Sequence, residues 1–311
     1  IDVLRDKVNR AAKQALAARD ARLLKEQVDQ AFEFSGIIHG GDPACVMTKN
    51  GPRMIDTEWF PHVQLNFAEN LLRVAEKQPE KEAIAFFGED GRERHLTYGE
   101  LQQDAVRFSH MLDACGVERG DRVVAFMPNI PETVSAMLAT TARGAIWSSV
   151  SPEFGVDAAV DRLGQLEPKV LIASDGHLYR GKAHSALEKV RTLTARIPSI
   201  ERTIVVPYVS STPDITSILH AAVYDASLSP VSLTYERLSF NHPLFILFSS
   251  GTEGKAKCVI HSAGGTLLNQ LKQHRLHTDL TEKGTLFFHT KTSWMMWNSL
   301  VNALEIGTRI V

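Results

Sequence analysis

Apolar residues recur in two alternating rhythms along most of this chain. Short apolar runs are typical of buried strands, whereas apolar residues three or four apart are typical of amphipathic helices. The strands predicted from the runs are Ala83–Phe87, Arg122–Phe126, Ala145–Ser149, Lys169–Ala173, Thr203–Val206, Leu244–Phe248, Lys257–His261, Leu286–His289 and Thr308–Val311. The helices predicted between them are Asn66–Ala75, Thr97–Cys115, Pro131–Arg143, Phe154–Leu166, His184–Ile197, Thr266–His277 and Met295–Leu304. Such alternation implies βαβ units, so we expect an α/β fold of doubly wound, mostly parallel sheets with helices on both faces.

Three stretches depart from this alternation. Residues 1–33 place Leu4 and Val8 among charged side chains, which predicts one amphipathic surface helix. Glycine and proline punctuate residues 34–60, and residues 207–242 are rich in proline, serine and threonine. Because these compositions are typical of loops, we place a junction between subdomains in the second loop-rich stretch.

These changes of pattern divide the chain into four predicted units. We expect an N-terminal helical and irregular segment over residues 1–78, a first α/β subdomain over 79–206, a loop-rich junction over 207–243 and the start of a second α/β subdomain over 244–311. The last predicted strand reaches the end of the sequence. Truncation there is expected to leave an apolar strand edge uncovered, which would lower solubility.

Composition and charge narrow the classes of partner. The 311 residues are 44% hydrophobic and 23% charged, as in an ordinary soluble globular protein. A net charge of −2 favours neither nucleic acid nor an anionic membrane surface, and no apolar run is long enough to predict a membrane span. The three distant cysteines, Cys45, Cys115 and Cys258, fit neither a disulfide framework nor a metal site. We therefore expect a cytosolic protein without a metal site of its own. The composition predicts nothing about the oligomeric state.

The segment from Leu244 to Lys257 carries the clearest chemical signal. An apolar strand runs into small hydroxyl-bearing residues and glycines, and a lysine follows. Glycines let backbone N–H groups approach a ligand, hydroxyls add donors, and lysine supplies positive charge, so the pattern suits a polyphosphate. A plain surface turn rich in serine and glycine explains the same residue types equally well. The segment does not match the GxxxxGK pattern of P-loop proteins, and no GxGxxG follows a strand.

This segment resembles the phosphate loop of the adenylate-forming acyl-CoA synthetase superfamily. That loop reads approximately Ser/Thr, Ser/Gly, Gly, Ser/Thr, Ser/Thr, Gly, any residue, Pro, Lys. The matching residues are Ser249, Ser250, Gly251, Thr252, Gly254 and Lys257. Glu253 replaces a hydroxyl residue and Ala256 replaces the proline. A carboxylate near phosphates is repulsive unless it turns away or meets Mg²⁺, and loss of the proline leaves the loop less pre-organised.

Several longer segments resemble one family within this superfamily, the acetoacetyl-CoA synthetases. These segments run from Trp59 to Leu72, Gly144 to Val156, Pro207 to Ser211, His261 to Leu268 and Trp294 to Asn298. Their number and order make a chance match an unsatisfactory explanation. The resemblance implies a ligase that converts acetoacetate and ATP into acetoacetyl-AMP and pyrophosphate and then transfers the acetoacetyl group to CoA.

The resemblance also implies the ligands and their residues. ATP with Mg²⁺, CoA and acetoacetate are the expected small molecules, and the matching loop residues would hold the ATP phosphates. The superfamily's adenine- and ribose-binding elements and its catalytic lysine are expected beyond residue 311. We therefore assign no catalytic residue, and we expect the 311 residues alone not to adenylate.

Four further residues are weaker candidates. By resemblance Trp294 borders the acyl pocket, although a Trp/Met cluster that opens a helix is more often core. His261, a candidate for substrate binding, precedes the glycine pair Gly264–Gly265, which either binds an anion at a helix start or allows close packing. Arg180 and Lys182 match the region where relatives contact the CoA 3′-phosphate, and a solvated basic pair is the alternative.

Two other features are the residues before Trp294 and a pair of histidines. Lys291 and Ser293 depart from the smaller or uncharged residues expected before Trp294, and they alter the predicted pocket. His274 and His277 lie three apart on a predicted helix without an acidic partner at motif spacing, so they are interpreted as satisfied or solvent-facing.

Two alternatives to the acetoacetate ligase stay open. The departures at Glu253, Ala256 and Lys291 fit a non-catalytic scaffold that binds a nucleotide or a partner. An enzyme that acts on acetate or another short acid is the second alternative, because the far wall of the predicted pocket lies beyond these residues.

Overall fold

Helices and strands alternate along the chain in the computed structural model, which describes residues 21–228, 232–249 and 255–311. The α-helices of these residues are α1 Ala21–Ser35, α2 Phe67–Lys77, α3 Tyr98–Ala114, α4 Pro131–Ala142, α5 Val156–Leu163, α6 Leu187–Arg196, α7 Ala263–Lys272 and α8 Met295–Asn302. Only α1 tests the helix predicted over residues 1–33, because residues 1–20 lie outside the described residues.

The strands of the described residues vary from two to seven residues in length. They are β1 His39–Gly41, β2 Met47–Lys49, β3 Thr57–Trp59, β4 Val63–Leu65, β5 Glu82–Phe87, β6 Glu93–Thr97, β7 Arg122–Phe126, β8 Ile146–Val150, β9 Val170–Ser174, β10 Gly176–Tyr179, β11 Lys182–Ser185, β12 Arg202–Val206, β13 Ala221–Val223, β14 Leu238–Ser239, β15 Pro243–Ser249, β16 Lys257–Ser262, β17 Thr285–Leu286 and β18 Arg309–Ile310.

A seven-stranded sheet forms the centre of the fold, in the order β13-β12-β9-β7-β8-β15-β16. Its strands are parallel from β13 to β15, and β16 pairs antiparallel with β15 at one edge. Alternate residues of one strand enter opposite cores: Val123 packs with the large core, whereas Val124 packs with Leu163 and Leu193 from α5 and α6. Helices thus cover both faces, and the predicted doubly wound α/β fold is confirmed.

A second sheet has the order β17-β18-β5-β6. Ile310 of β18 pairs with Ile84 of β5, and Phe245 of β15 pairs with Trp147 of β8. Both sheets therefore contain strands from each side of the loop-rich residues 207–243. The four-unit division of the chain stays a prediction.

Local signals explain where the well-predicted helices begin. Helix α3 starts with a capping box, in which Thr97 Oγ1 accepts from the Glu100 backbone N–H at 3.2 Å and Glu100 Oε2 accepts from the Thr97 backbone N–H at 2.8 Å. Helix α4 starts with Pro131, whose missing N–H is not needed in the first turn.

Two predicted elements were wrong in their bounds. His184 lies in β11 rather than in a helix, and α6 begins at Leu187. Every residue of β11 is exposed, so the strand has no apolar pattern to reveal it. The strand predicted over residues 286–289 is instead the two-residue strand β17, Thr285–Leu286, which lies at the edge of the second sheet next to β18.

Candidate functional site

The hairpin of β15 and β16 presents the ends of the predicted phosphate loop. Ser249 pairs with Lys257 in the last step of this hairpin, and both residues are exposed. Ser250, Gly251, Thr252 and Gly254 lie outside the described residues, as does Glu253. Ser249 and Lys257 bring a hydroxyl and an ammonium group to one turn, which fits a phosphate ligand.

The return of this loop is attached to the 3₁₀ turn that follows helix α5. Ala256 is buried, and its carbonyl accepts a hydrogen bond from Gln165 Nε2 at 3.1 Å. The Cys258 thiol lies 3.8 Å from Gln165 Oε1. These contacts position the lysine that follows Ala256 without using its ammonium group.

The carboxyl ends of the parallel strands form one edge of the central sheet, where open α/β sheets bind ligands. A segment from Thr290 to Trp294 crosses this edge. Thr292 Oγ1 donates to the Met127 carbonyl after β7 at 2.9 Å, and Ser149 Oγ in β8 donates to the Thr292 carbonyl. These bonds hold the start of α8 directly over the ends of β7 and β8.

The structure separates the two tryptophans of this segment. Trp294 caps α8 and is 53% exposed, with its ring 6.1 Å from that of Phe288. Trp297 is fully buried, and its indole N–H donates to Asn129 Oδ1 at 2.8 Å. Trp297 therefore belongs to the core, whereas Trp294 is free to border a ligand. Phe288 and Trp297 also line a cavity of about 210 Å³ next to β5.

Arg180 and Lys182 lie in the β10–β11 hairpin, which follows β9 at this same edge. Arg180 and Gly181 form its two-residue turn with φ of +52° and +71°. Both basic residues are exposed, and the Arg180 guanidinium lies 5.2 Å from the centre of the Tyr179 ring. Asp175 anchors the base of the hairpin, because its carboxylate accepts from three backbone N–H groups that follow β12.

His261 lies apart from these residues. It pairs with Phe245 near the start of β15, four residues along β16 from Lys257 and thus roughly 13 Å away. Burial lowers the pKa of this half-buried imidazole and favours its neutral form. The structure does not bring His261 to the carboxyl edge, and its role in substrate binding stays a prediction.

The glycine pair after His261 is explained by packing. A Cβ on Gly264 would stand 2.2 Å from Phe240 Cδ2, and one on Gly265 would stand 2.6 Å from Ser262 Oγ. Glycine is required at Gly264, where the start of α7 lies against the Phe240 ring, whereas a side chain at Gly265 would meet only the Ser262 hydroxyl, which can rotate away. This geometry favours the close-packing interpretation over an anion site.

The structure also reveals a partner that the sequence did not indicate. Lys291 forms an ion pair with Glu153, which lies in the loop after β8. The sequence marked Lys291 as a departure from its relatives, but nothing in the pattern linked it to a residue 138 positions earlier. His274 was predicted to have a hydrogen-bond partner or to face solvent, and a partner is confirmed. The side chain is buried, and its Nε2 lies 2.9 Å from the Ser299 carbonyl.

Most of the candidate residues that the structure describes therefore lie at one edge of the central sheet. Ser249, Trp294, Arg180 and Lys182 lie at the carboxyl ends of parallel strands, and Lys257 begins the antiparallel strand β16 at the same edge. Strands β9 and β15 are three strand spacings apart, or about 14 Å, so the basic hairpin and the predicted phosphate loop stand at opposite sides of this edge. Among the described residues no helix is long and apolar enough to cross a membrane.

Comparison with known proteins identifies the family. The AMP-binding enzyme family model matches residues 71–311. An acetoacetyl-coenzyme A synthetase of Rhizobium meliloti (strain 1021) is 45% identical over 274 residues, which cover 87% of this chain and 41% of that protein. An acetoacetyl-CoA synthetase of Mus musculus is 40% identical over 291 residues, covering 90% of this chain and 43% of that protein.

A solved structure agrees with this assignment. The acetoacetyl-CoA synthetase from Streptomyces lividans superposes with a TM-score of 0.87 at 34% identity, over 98% of this chain and 49% of that one. The chain thus spans less than half the length of the relatives it matches. The family match over most of its residues shows that this chain belongs to the AMP-binding enzymes.

Proposed function

We propose that this protein is an acetoacetate–CoA ligase of the AMP-forming kind. The observation that carries the proposal is the identity of 45% and 40% to acetoacetyl-CoA synthetases over nearly nine-tenths of the chain. In the proposed reaction a carboxylate oxygen of acetoacetate attacks the α-phosphorus of ATP, and pyrophosphate leaves. The thiol of CoA then attacks the acyl carbon, loses its proton, and displaces AMP.

The chain's own residues would act mainly by placing and neutralising charge. Transfer at phosphorus needs the reacting groups held in line and their negative charge compensated, rather than a covalent intermediate on the protein. Ser249 and Lys257, with the loop between them, would hold the β- and γ-phosphates of ATP. Mg²⁺ bound with ATP would neutralise further charge on these phosphates.

The other candidates would contact the remaining parts of the substrates. Trp294, half-exposed over the ends of β7 and β8, would border the acetoacetyl group. Arg180 and Lys182 are exposed on the β10–β11 hairpin and would pair with a phosphate of CoA. We propose the cytosol as the location, because all three substrates are soluble small molecules.

A second candidate function rests on the phosphate loop itself. Glu253 and Ala256 depart from the superfamily pattern, and a carboxylate at the loop repels the phosphates unless it turns away or meets Mg²⁺. A scaffold that binds a nucleotide or a partner without catalysis would keep the fold and tolerate these changes.

The test uses the natural protein purified from its source, after its mass is measured on a denaturing gel with an immunoblot. Pyrophosphate release is then followed with Mg·ATP and CoA, with acetoacetate, acetate or no acid. Release that depends on acetoacetate and is weaker with acetate is the expected result. Pyrophosphate release with acetate but not with acetoacetate would identify acetate as the acid. ATP binding without pyrophosphate release in the presence of either acid would favour the non-catalytic scaffold.

A further inference from the structure

The ion pair of Lys291 and Glu153 lies within the candidate site, yet the proposed reaction uses neither side chain. Lys291 belongs to the segment over the ends of β7 and β8, and its carbonyl accepts from the backbone N–H of Trp294 at 3.0 Å. The neighbouring Thr292 is bonded to both strands. The backbone of Lys291 is therefore fixed at the carboxyl edge, and only its side chain can move to pair with another group.

The backbone beside Glu153 is fixed in a similar way. The Lys189 ammonium group of α6 donates to the carbonyls of Pro152 and Phe154 at 2.7 and 3.3 Å, on either side of Glu153. Two anchored backbones thus place the Glu153 carboxylate and the Lys291 ammonium group next to each other across the end of β8. In the central sheet, β8 lies between β7 and β15, which leads into the predicted phosphate loop.

The ion pair contributes little stability of its own. The side chains of Lys291 and Glu153 are 53% and 39% exposed, and pairs this open to water are weak because solvent screens them. Exchange of the carboxylate for a phosphate group therefore costs little. Phosphate carries more negative charge and more acceptor oxygens than a carboxylate, so the exchange favours the ligand.

We propose that Lys291 is a phosphate-binding residue of the nucleotide site. Before a ligand binds, the Glu153 carboxylate pairs with the Lys291 ammonium group, and on binding a phosphate group replaces that carboxylate. This inference rests on the proposed function, since it needs a nucleotide at the carboxyl edge. Its position between the phosphate loop after β15 and the basic hairpin after β9 leaves two sources for the phosphate, ATP and CoA. The chemistry at Lys291 is the same for both.

The experiment compares three variants with the wild-type natural protein by calorimetric titration, with Mg·ATP and CoA titrated separately at low ionic strength. K291M is expected to weaken binding of one of these ligands by about three- to tenfold, the range for loss of one partly exposed charge-assisted contact. E153Q is expected to tighten binding of the same ligand, because Lys291 no longer has a competing carboxylate. R53M is the matched control, since Arg53 also forms an exposed ion pair, with Asp56, outside the site.

The opposite signs of the two variants make the test specific. A merely structural ion pair would give the same loss in K291M and E153Q, and that outcome would overturn the inference. Unchanged binding of both ligands by K291M, in a protein whose wild type binds them, would overturn it as well and leave the proposed function standing. A wild type that binds neither ligand would remove the proposed function and the inference together. Thermal melting of each variant verifies that it is folded.

Discussion

At the scale of single residues, the buried carboxyl group of Glu305 has the most unusual environment. Glu305 is 1% exposed, and neither of its carboxyl oxygens has a hydrogen-bond partner among the residues that the structure describes. Burial raises the pKa of Glu305 to about 8, although the positive charges of Arg73 and Arg275 oppose the shift. The group is therefore protonated in the folded protein at neutral pH, whereas in the unfolded chain it is ionised.

This difference predicts a dependence of stability on pH. Because the folded pKa lies above the unfolded value of 4.5, the folded state holds the proton more tightly, and this stabilisation is complete below pH 4.5 and lost as pH rises towards about 8. Relative to Glu305→Gln, the wild type should lose on the order of 2 kcal/mol of unfolding free energy between pH 6 and pH 8. Urea denaturation of both proteins across this range measures it. A wild-type minus variant difference that does not change with pH would contradict the prediction.

A second prediction at this scale concerns Lys257, whose side chain stands exposed at the return of the predicted phosphate loop. Lys257→Met should weaken Mg·ATP binding by about tenfold, since a phosphate contact to a charged group is lost. Lys255→Met removes the same charge two residues earlier, at a position where the superfamily pattern accepts any residue, and should have a smaller effect. Equal losses from the two variants would indicate general attraction by positive charge instead of a specific contact.

At the scale of elements, helix α8 shows how one short helix has both a core and a ligand-facing part. Trp297 points into the core and bonds to Asn129, whereas Trp294 at the start of the helix remains half in solvent. The two tryptophans are three positions apart, less than one full helical turn. The helix is held over the sheet by its buried part, and this leaves its first residues available to a substrate.

The two tryptophans should consequently respond differently to truncation. Trp297→Ala should reduce the free energy of unfolding by about 3–5 kcal/mol, because a large buried ring and its hydrogen bond are removed. Trp294→Ala should reduce it by less than about 1 kcal/mol, as expected for an exposed side chain. Denaturant titration gives both values, and comparable losses at the two positions would show that Trp294 is also part of the core.

At the scale of the whole molecule, Asn66 joins three distant parts of the chain. It is fully buried at the start of α2, where its Oδ1 accepts from the Glu69 backbone N–H. Its Nδ2 donates to the carbonyls of Ala142, at the end of α4, and Glu236, at 2.9 and 2.8 Å. One amide side chain thus satisfies a helix cap and two carbonyls at once.

Loss of this junction should cost more than loss of an ordinary cap. Asn66→Ala is expected to lower the free energy of unfolding by about 2–4 kcal/mol, because the carbonyls of Ala142 and Glu236 each lose a donor in addition to the cap, and Ala142 keeps only the Glu236 backbone N–H. Thr97→Ala, which removes only the cap of α3, is expected to cost about 1 kcal/mol. The comparison is made by chemical denaturation, and a similar loss for both variants would mean that water replaces Asn66 at the two carbonyls.

The match between prediction and structure follows the local apolar signal. Strands β7 and β15 are apolar through most of their length, and their positions were predicted to within one residue at each end. Strand β11 is exposed throughout and has no apolar pattern, and its last two residues, His184 and Ser185, were predicted to be helical instead. The phosphate-loop candidates were recognised from residue types and spacing, and their roles stay predictions because most of the loop lies outside the described residues.

By itself, the sequence determined the α/β class, the alternation of helices and strands, and the family, because each depends on residue types at short spacing. Only the tertiary structure decided that β15 lies beside β8, that Trp294 is exposed while Trp297 is buried, that His261 stands away from the carboxyl edge, and that Lys291 meets Glu153. The physical reason is that periodicity reports which side of an element is buried, whereas contacts between distant segments depend on the order in which strands pair. The packing of the whole core selects that order, and no single segment of the sequence determines it.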